Sequence, residues 1–109
     1  GSIKQTISRA EIMQKIQNNM DNMIKGMRAG PYREDGVIQG YKIFALTNES
    51  PLYEMGIRGG DVIKRINGHP IDSTEKLYNL WQQLPKENRF LIDLQRGGGT
   101  VSIDFNITN

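Results

Sequence analysis

Apolar residues recur along this chain with two different periods. Over residues 8–27, Ile12, Ile16, Met20, Met23, Ile24 and Met27 fall at three- and four-residue steps. That spacing makes one stripe on a helix whose other face carries Gln14, Gln17, Asn18, Asp21 and Lys25. Ser8 followed by Glu11 has the spacing of a capping box, which predicts where the helix begins. Gly26 and Gly30-Pro31 are expected to end it. The methionine-rich stripe reads as a face docked on its own domain through Ile12, Ile16 and Met20. A partner-binding face is the alternative, because methionine adapts to many surfaces. Residues 28–39 are polar, and Asp35-Gly36 suits a tight turn between two short strands. The run Tyr41-Lys42-Ile43-Phe44-Ala45-Leu46-Thr47 predicts a strand with apolar residues on both faces, covered on both sides.

Ser50-Pro51 opens one helical turn over 52–55, with Ser as cap and Pro at the first helical position, and Gly56 stops it. Gly59-Gly60-Asp61 is a turn, Val62 to Ile66 a short strand, and Asn67-Gly68 another turn, followed by an extended His69-Pro70-Ile71. A second helix is expected over 73–84, capped by Asp72 or Ser73 and closed by Pro85, with Leu77, Leu80, Trp81 and Leu84 as its apolar face. Phe90, Ile92 and Leu94, then Val101, Ile103, Phe105 and Ile107, alternate with polar neighbours in two strands joined by a hairpin through Arg96-Gly97-Gly98-Gly99-Thr100. The order predicts an α+β domain: a half-open β-barrel of short strands capped by two helices and preceded by the amphipathic helix.

At 109 residues the chain suits one domain. Hydrophobic residues at 37% and charged residues at 24% exclude a disordered composition. A net charge of +2, with Lys64-Arg65 as a mere two-residue basic step, does not indicate a nucleic-acid surface. No apolar run approaches the roughly 20 residues of a membrane span. The absence of cysteine excludes disulfides and thiolate metal sites. Gly1-Ser2 without Met reads as a cloning scar, so residues 1–7 are expected to be a flexible lead-in, 8–30 the helix and 31–109 the domain proper.

Enzyme chemistry finds little purchase. His69 is the single histidine and sits in a turn. Ser50 and Ser73 look like helix caps, with no base beside them and no nucleophile-elbow glycines around them. Gly97-Gly98-Gly99 joins two strands and does not open a helix, so it is a hairpin tip and not a phosphate cradle. Asn48-Glu49-Ser50 and Asn106-Ile107-Thr108 match the glycosylation sequon by chance if the protein is bacterial. No catalytic residue, metal site or cofactor is expected.

The run Ser50-Pro51-Leu52-Tyr53-Glu54-Met55-Gly56-Ile57-Arg58-Gly59-Gly60-Asp61-Val62-Ile63-Lys64-Arg65-Ile66-Asn67-Gly68 resembles a PDZ domain of the bacterial arrangement. A short helix ending in Gly-Ile, a Gly-Asp turn, an apolar strand and Ile-Asn-Gly carry the likeness. Ile7-Ser8-Arg9-Ala10-Glu11, Gly40-Tyr41-Lys42-Ile43, Ser50 to Glu54, Ile66-Asn67-Gly68-His69 and Glu75-Lys76 extend it over 7–108 to type II secretion component C. The resemblance implies the C-terminal, periplasmic domain of a bacterial inner-membrane protein anchored by one N-terminal span. It also implies a role in recognising secreted exoproteins and in coupling the inner-membrane platform to the secretin. The partners expected are protein or peptide segments, with no nucleic acid and no membrane contact by this fragment. The alternative is a regulatory PDZ domain of a periplasmic serine protease of the high-temperature-requirement type.

A PDZ domain adds an extended segment as a strand between one of its strands and its second helix. The resemblance places that strand over 40–47 and the helix over 73–84. Tyr41, Ile43 and Ala45 would face Leu77, Leu80 and Trp81 across the groove, although helical and strand spacing alone does not separate groove from core. Carboxylate-binding members carry Gly-Φ-Gly-Φ, and here Gly40-Tyr41-Lys42-Ile43 has Lys42 in place of the second glycine. An internal segment is therefore as plausible a ligand as a free C-terminus.

Overall fold

The computed structural model describes residues 1–14, 27–48, 50–83 and 86–109. Its strands are β1 (Ser2–Ser8), β2 (Met27–Glu34), β3 (Val37–Leu46), β4 (Val62–Ile66), β5 (His69–Pro70), β6 (Arg89–Arg96) and β7 (Gly99–Thr108). Two helices, α1 (Pro51–Glu54) and α2 (Thr74–Gln83), interrupt them, and residues 9–14 are also helical. The strands form one mixed sheet in the order β1-β7-β6-β4-β3-β2, with β5 hydrogen-bonded to β4 off that path. Among the described residues the sheet does not close on itself: β1 and β2 are its two ends.

Local chemistry explains most of these elements. Ser8 Oγ accepts the Glu11 N–H at 3.2 Å, as the cap pattern requires. Ser50 Oγ accepts the Leu52 N–H at 3.2 Å and Ser73 Oγ the Lys76 N–H at 3.1 Å, so both serines are helix caps. Asp35 and Gly36 have φ of 54° and 79°, the two positive values of a tight hairpin turn between β2 and β3. Asn67, at φ 51°, uses backbone and side chain together: its N–H donates to Leu91 O and its Oδ1 accepts the Leu91 N–H, both at 2.8 Å. The turn after β4 is thereby tied to β6. The core lies on one face of the sheet, where Ile43, Ile57, Ile63, Ile92, Leu94, Ile103 and Phe105 are fully buried.

The chain departs from the sequence expectation at its beginning. Residues 1–7 are expected as a flexible lead-in and Ser8 as the start of the helix, whereas Ser2–Ser8 form β1, which runs parallel to β7 in unbroken register from Ser2↔Ser102 to Ser8↔Thr108. Ile3, Gln5 and Ile7 alternate with polar neighbours and face Ile103, Phe105 and Ile107. Ile12 is buried in the core at 2% exposure. Ile16, Met20, Met23 and Ile24 lie outside the described residues. Met27, Gly30 and Pro31 belong to β2 and not to the end of a helix. A ladder with β3 from Met27↔Leu46 to Glu34↔Val37 overrides the local helical period. The second helix reaches Gln83, and Leu84 and Pro85 lie outside the described residues.

The β6–β7 pair carries an ion pair with a testable consequence. Arg89 Nε and Nη2 hold the Asp104 carboxylate at 2.7 and 2.8 Å across the β6–β7 pair. That bond keeps the Asp104 carboxyl below the ordinary carboxylate range. A carboxyl depressed in the folded state contributes stability above its unfolded pKa, about 3.9, and loses it as pH falls through the folded value. Urea midpoints recorded from pH 6 down to acid should fall less steeply for Asp104→Asn than for the parent. The pair is exposed, so salt should shrink the difference.

Candidate functional site

A guest strand needs backbone donors and acceptors that the protein itself leaves open. β3 does not offer them. It pairs with β2 along its length and, on its other side, with β4 through Tyr41↔Ile63 and Lys42↔Val62. Beyond that, the Ile43 N–H donates to Asp61 O at 2.8 Å and the Ile43 carbonyl accepts the Gly60 N–H. The free edge expected along residues 40–47 is therefore occupied by the chain's own backbone. Tyr41 and Ile43, expected in the groove, are core residues, whereas Ala45 is exposed. Phe44 is 59% exposed, so β3 is not covered on both faces.

Gly40 and Lys42 do not form a carboxylate loop either, because both lie inside the β3 ladder. A Cβ on Gly40 would stand 2.6 Å from Ile63 O and 2.9 Å from Val62 Cγ1. The bare glycine lets β3 and β4 approach, a packing duty and not a ligand-binding one. Lys42 Nζ sits 5.5 Å from the centre of the Phe44 ring, on the outer face of the sheet.

The open edge next to β3 is that of β2. Because the polar groups of Ile43 turn to β4, those of its β2 partner Ala29 turn outward, and by alternation so does the carbonyl of Pro31 opposite Tyr41. Proline has no N–H to offer, so at this position it costs the ladder nothing and removes one outward donor. Between the two register shifts of β2, the edge offers the N–H and C=O of Ala29 and the C=O of Pro31. Met27 and Ala29 of β2 are half-buried against the core cluster, and so are Leu77 and Leu80 of α2. Strand edge and helix thus border the same core. The helix face keeps its two leucines partly exposed, and the side chain of Trp81 lies outside the described part. Asp72 pairs with Lys76 at 2.8 Å at the start of α2, and this bond holds the Asp72 carboxyl below its ordinary range.

The frame behind this edge is held by Asp61, which is 1% exposed. One oxygen accepts the Arg58 N–H at 2.8 Å and closes the turn. The carboxylate also receives Arg96 in a two-point pair, Nε to Oδ1 at 2.9 Å and Nη2 to Oδ2 at 2.8 Å. Arg96 Nη2 donates further to Gly56 O at 2.9 Å. Bonding to Asp61 raises the Arg96 guanidinium above its already high ordinary pKa. Arg58 stacks 3.7 Å from the centre of the Tyr53 ring and donates to the Tyr53 and Ile57 carbonyls, closing the end of α1. Sequence reading finds Asp61 and misses Arg96, because nothing local links residues 35 apart.

Catalytic groupings are not evident at this edge. His69 is exposed in β5 and lines a shallow cavity of about 350 Å³ with Lys76, Asn79, Leu80 and Gln83. Among the described residues no three His, Cys, Asp or Glu side chains gather where a metal could sit. No helix among the described residues is long and apolar enough to cross a membrane.

No known family profile matches the chain, and no curated protein does. Solved structures do. The PDZ domain of EpsC from Vibrio cholerae superposes with a TM-score of 0.57 at 16% identity, covering 89% of this chain and 92% of that one. The PDZ domain of the pullulanase C protein of the type II secretion system from Klebsiella pneumoniae, solved with a fatty acid, gives 0.52 at 16% identity over 87% and 98%. The HtrA3 PDZ domain bound to the phage-derived ligand FGRWV gives 0.54 at 23% identity over 71% and 76%. The fold of this chain is that of a PDZ domain.

Proposed function

We propose that this chain is a non-catalytic protein-interaction domain of a type II secretion component C protein, and that it takes an extended segment of a partner along the β2 edge opposite α2. The observation that carries the reading is the outward N–H and C=O of Ala29 on the sheet's terminal strand, a residue that packs on the same core cluster as the half-exposed Leu77 and Leu80 of α2. The guest would be secreted exoproteins or other components of the secretion machinery, met in the periplasm by a protein anchored in the inner membrane. Tyr41 and Ile43 act from beneath as the buried floor of the groove. With Pro31 withholding one donor, the guest gains few backbone bonds, which suits weak and reversible recognition. No cofactor takes part.

The test uses a peptide selected from a display library of random internal heptapeptides, titrated into the isotopically labelled domain. Amide shifts should move at Met27, Arg28 and Ala29 and at Leu77 and Leu80. Amidating the peptide's C-terminus should leave affinity unchanged. Ala29→Pro removes an N–H that no internal strand uses and should weaken binding by about tenfold. Shifts confined to β4 and β5, or indifference to Ala29→Pro, would place the site elsewhere.

A second reading, the regulatory PDZ domain of an HtrA-type protease, is favoured by the likeness to the HtrA3 domain. Type II secretion is preferred because the motifs of residues 7–108 resemble component C, and the superposition on the EpsC domain, with a TM-score of 0.57 over 89% of this chain, supports that reading. In the native host, deleting the domain should block exoprotein release and spare periplasmic proteolysis. The reverse outcome would favour the protease.

A further inference from the structure

The second open edge of the sheet belongs to β1, and its chemistry can be read residue by residue. The Gly1 ammonium donates to Thr100 O, Gly1 O accepts the Ser102 N–H, and Ile7 O accepts the Thr108 hydroxyl. Odd-numbered residues of β1 therefore turn their backbone groups to β7. By the alternation of a strand, Ser2, Lys4, Thr6 and Ser8 turn theirs away from it. Lys4 and Thr6 are also exposed through their side chains, while Ile3 and Gln5 are half-buried and Ile7 buried on the core face. No described residue pairs with this outer edge.

We propose that β1 pairs antiparallel with β1 of a second copy, about a two-fold axis through Gln5, so that two sheets join into one. Three observations select this occupant and this register. The outward-turned residues meet one another, Lys4 with the second copy's Thr6 and Ser2 with its Ser8, and each such pair exchanges two hydrogen bonds. Ile3 falls opposite Ile7, which carries the apolar core face across the junction and covers the exposed part of Ile3. The single charge of the strand meets an uncharged threonine, whereas an axis through Lys4 would set like charges face to face. The pairing holds with residues 3–7 alone and does not depend on Gly1 or Ser2. It leaves the β2 edge free, so it is independent of the ligand reading.

An interface of one strand pair is small, and half-association is expected at about 0.1–1 mM. Sedimentation equilibrium from about 20 μM to about 1 mM spans that range. The parent should show a monomer–dimer equilibrium. Thr6→Pro should abolish it with the thermal transition retained, because the Thr6 N–H serves no internal bond. Charge reports the register. Thr6→Glu, facing Lys4 twice across the axis, should tighten the dimer about fivefold, and added salt should reverse the gain. Thr6→Lys should loosen it by a similar factor. A single monomeric species at the highest concentration would overturn the proposal. So would a dimer that survives Thr6→Pro, or equal behaviour of the Glu and Lys variants.

Discussion

Arg96→Ala should destabilise the domain by about 3–5 kcal/mol, the usual cost of stripping the partner from a buried charge. Asp61 is 1% exposed, and its carboxylate receives two Arg96 N–H groups and the Arg58 N–H. Removing Arg96 leaves a negative charge inside the fold with one donor in place of three, and also frees the Gly56 carbonyl. A domain of this size holds only about 5–15 kcal/mol in all, so a large part of the margin would go. Urea unfolding should show a lower midpoint with an unchanged slope. Arg96→Lys should recover little, since an ammonium cannot bond both carboxylate oxygens in the same plane. The double variant Asp61→Asn, Arg96→Met should cost less than Arg96→Ala alone, because the uncompensated charge is gone. A shift below about 1 kcal/mol for Arg96→Ala would show that water replaces the guanidinium at no great cost, and the central role given to Asp61 would fall.

Gly40→Ala should cost about 1–3 kcal/mol and lower Tm by about 10 °C, the penalty of overpacking against an unyielding neighbour. The atom that a Cβ would meet at 2.6 Å is Ile63 O, a backbone carbonyl in the middle of the sheet, and Val62 Cγ1 closes the other side at 2.9 Å. Neither can rotate out of the way without shifting the β3–β4 pair. The same variant separates two roles for this glycine. If Gly40 cradled a ligand's carboxylate, alanine would weaken binding and leave the melt alone. The geometry requires the opposite: a lower melt, with affinity for an amidated internal peptide retained wherever the domain is still folded.

Both predictions fall on residues whose local meaning was readable and whose tertiary meaning was not. Gly40 stood out as the start of a glycine-containing motif, yet its contacts come from β4, more than twenty residues later in the chain. Asp61 stood out as a turn residue, and the turn bond to Arg58 is there, but the stronger partner sits at the far end of β6. The same limit explains β3. Tyr41 and Ile43 have the alternation of a strand with one buried face, and alternation is blind to whether the neighbouring position is filled by a guest or by the chain itself. Phe44, exposed over Gly30, shows the converse: an apolar residue in a strand need not be covered.

What the amino-acid order determines here is whatever neighbours in the chain settle between themselves. The serine caps at 8, 50 and 73, the paired positive φ values at Asp35-Gly36, the Asn67-Gly68 turn, the leucine face of α2 and the alternation of β6 and β7 are of this kind, and their run in order was enough to suggest a PDZ domain. Only the folded chain decides which strands lie at the ends of the sheet. That choice turned most of the expected lead-in, residues 2–7, into a parallel partner for β7, put Met27 to Glu34 into a strand, and moved the open edge from β3 to β2. The physical reason is that hydrogen-bond pairing between strands depends on segments as much as 100 residues apart, and the backbone groups that make it are the same in every residue but proline.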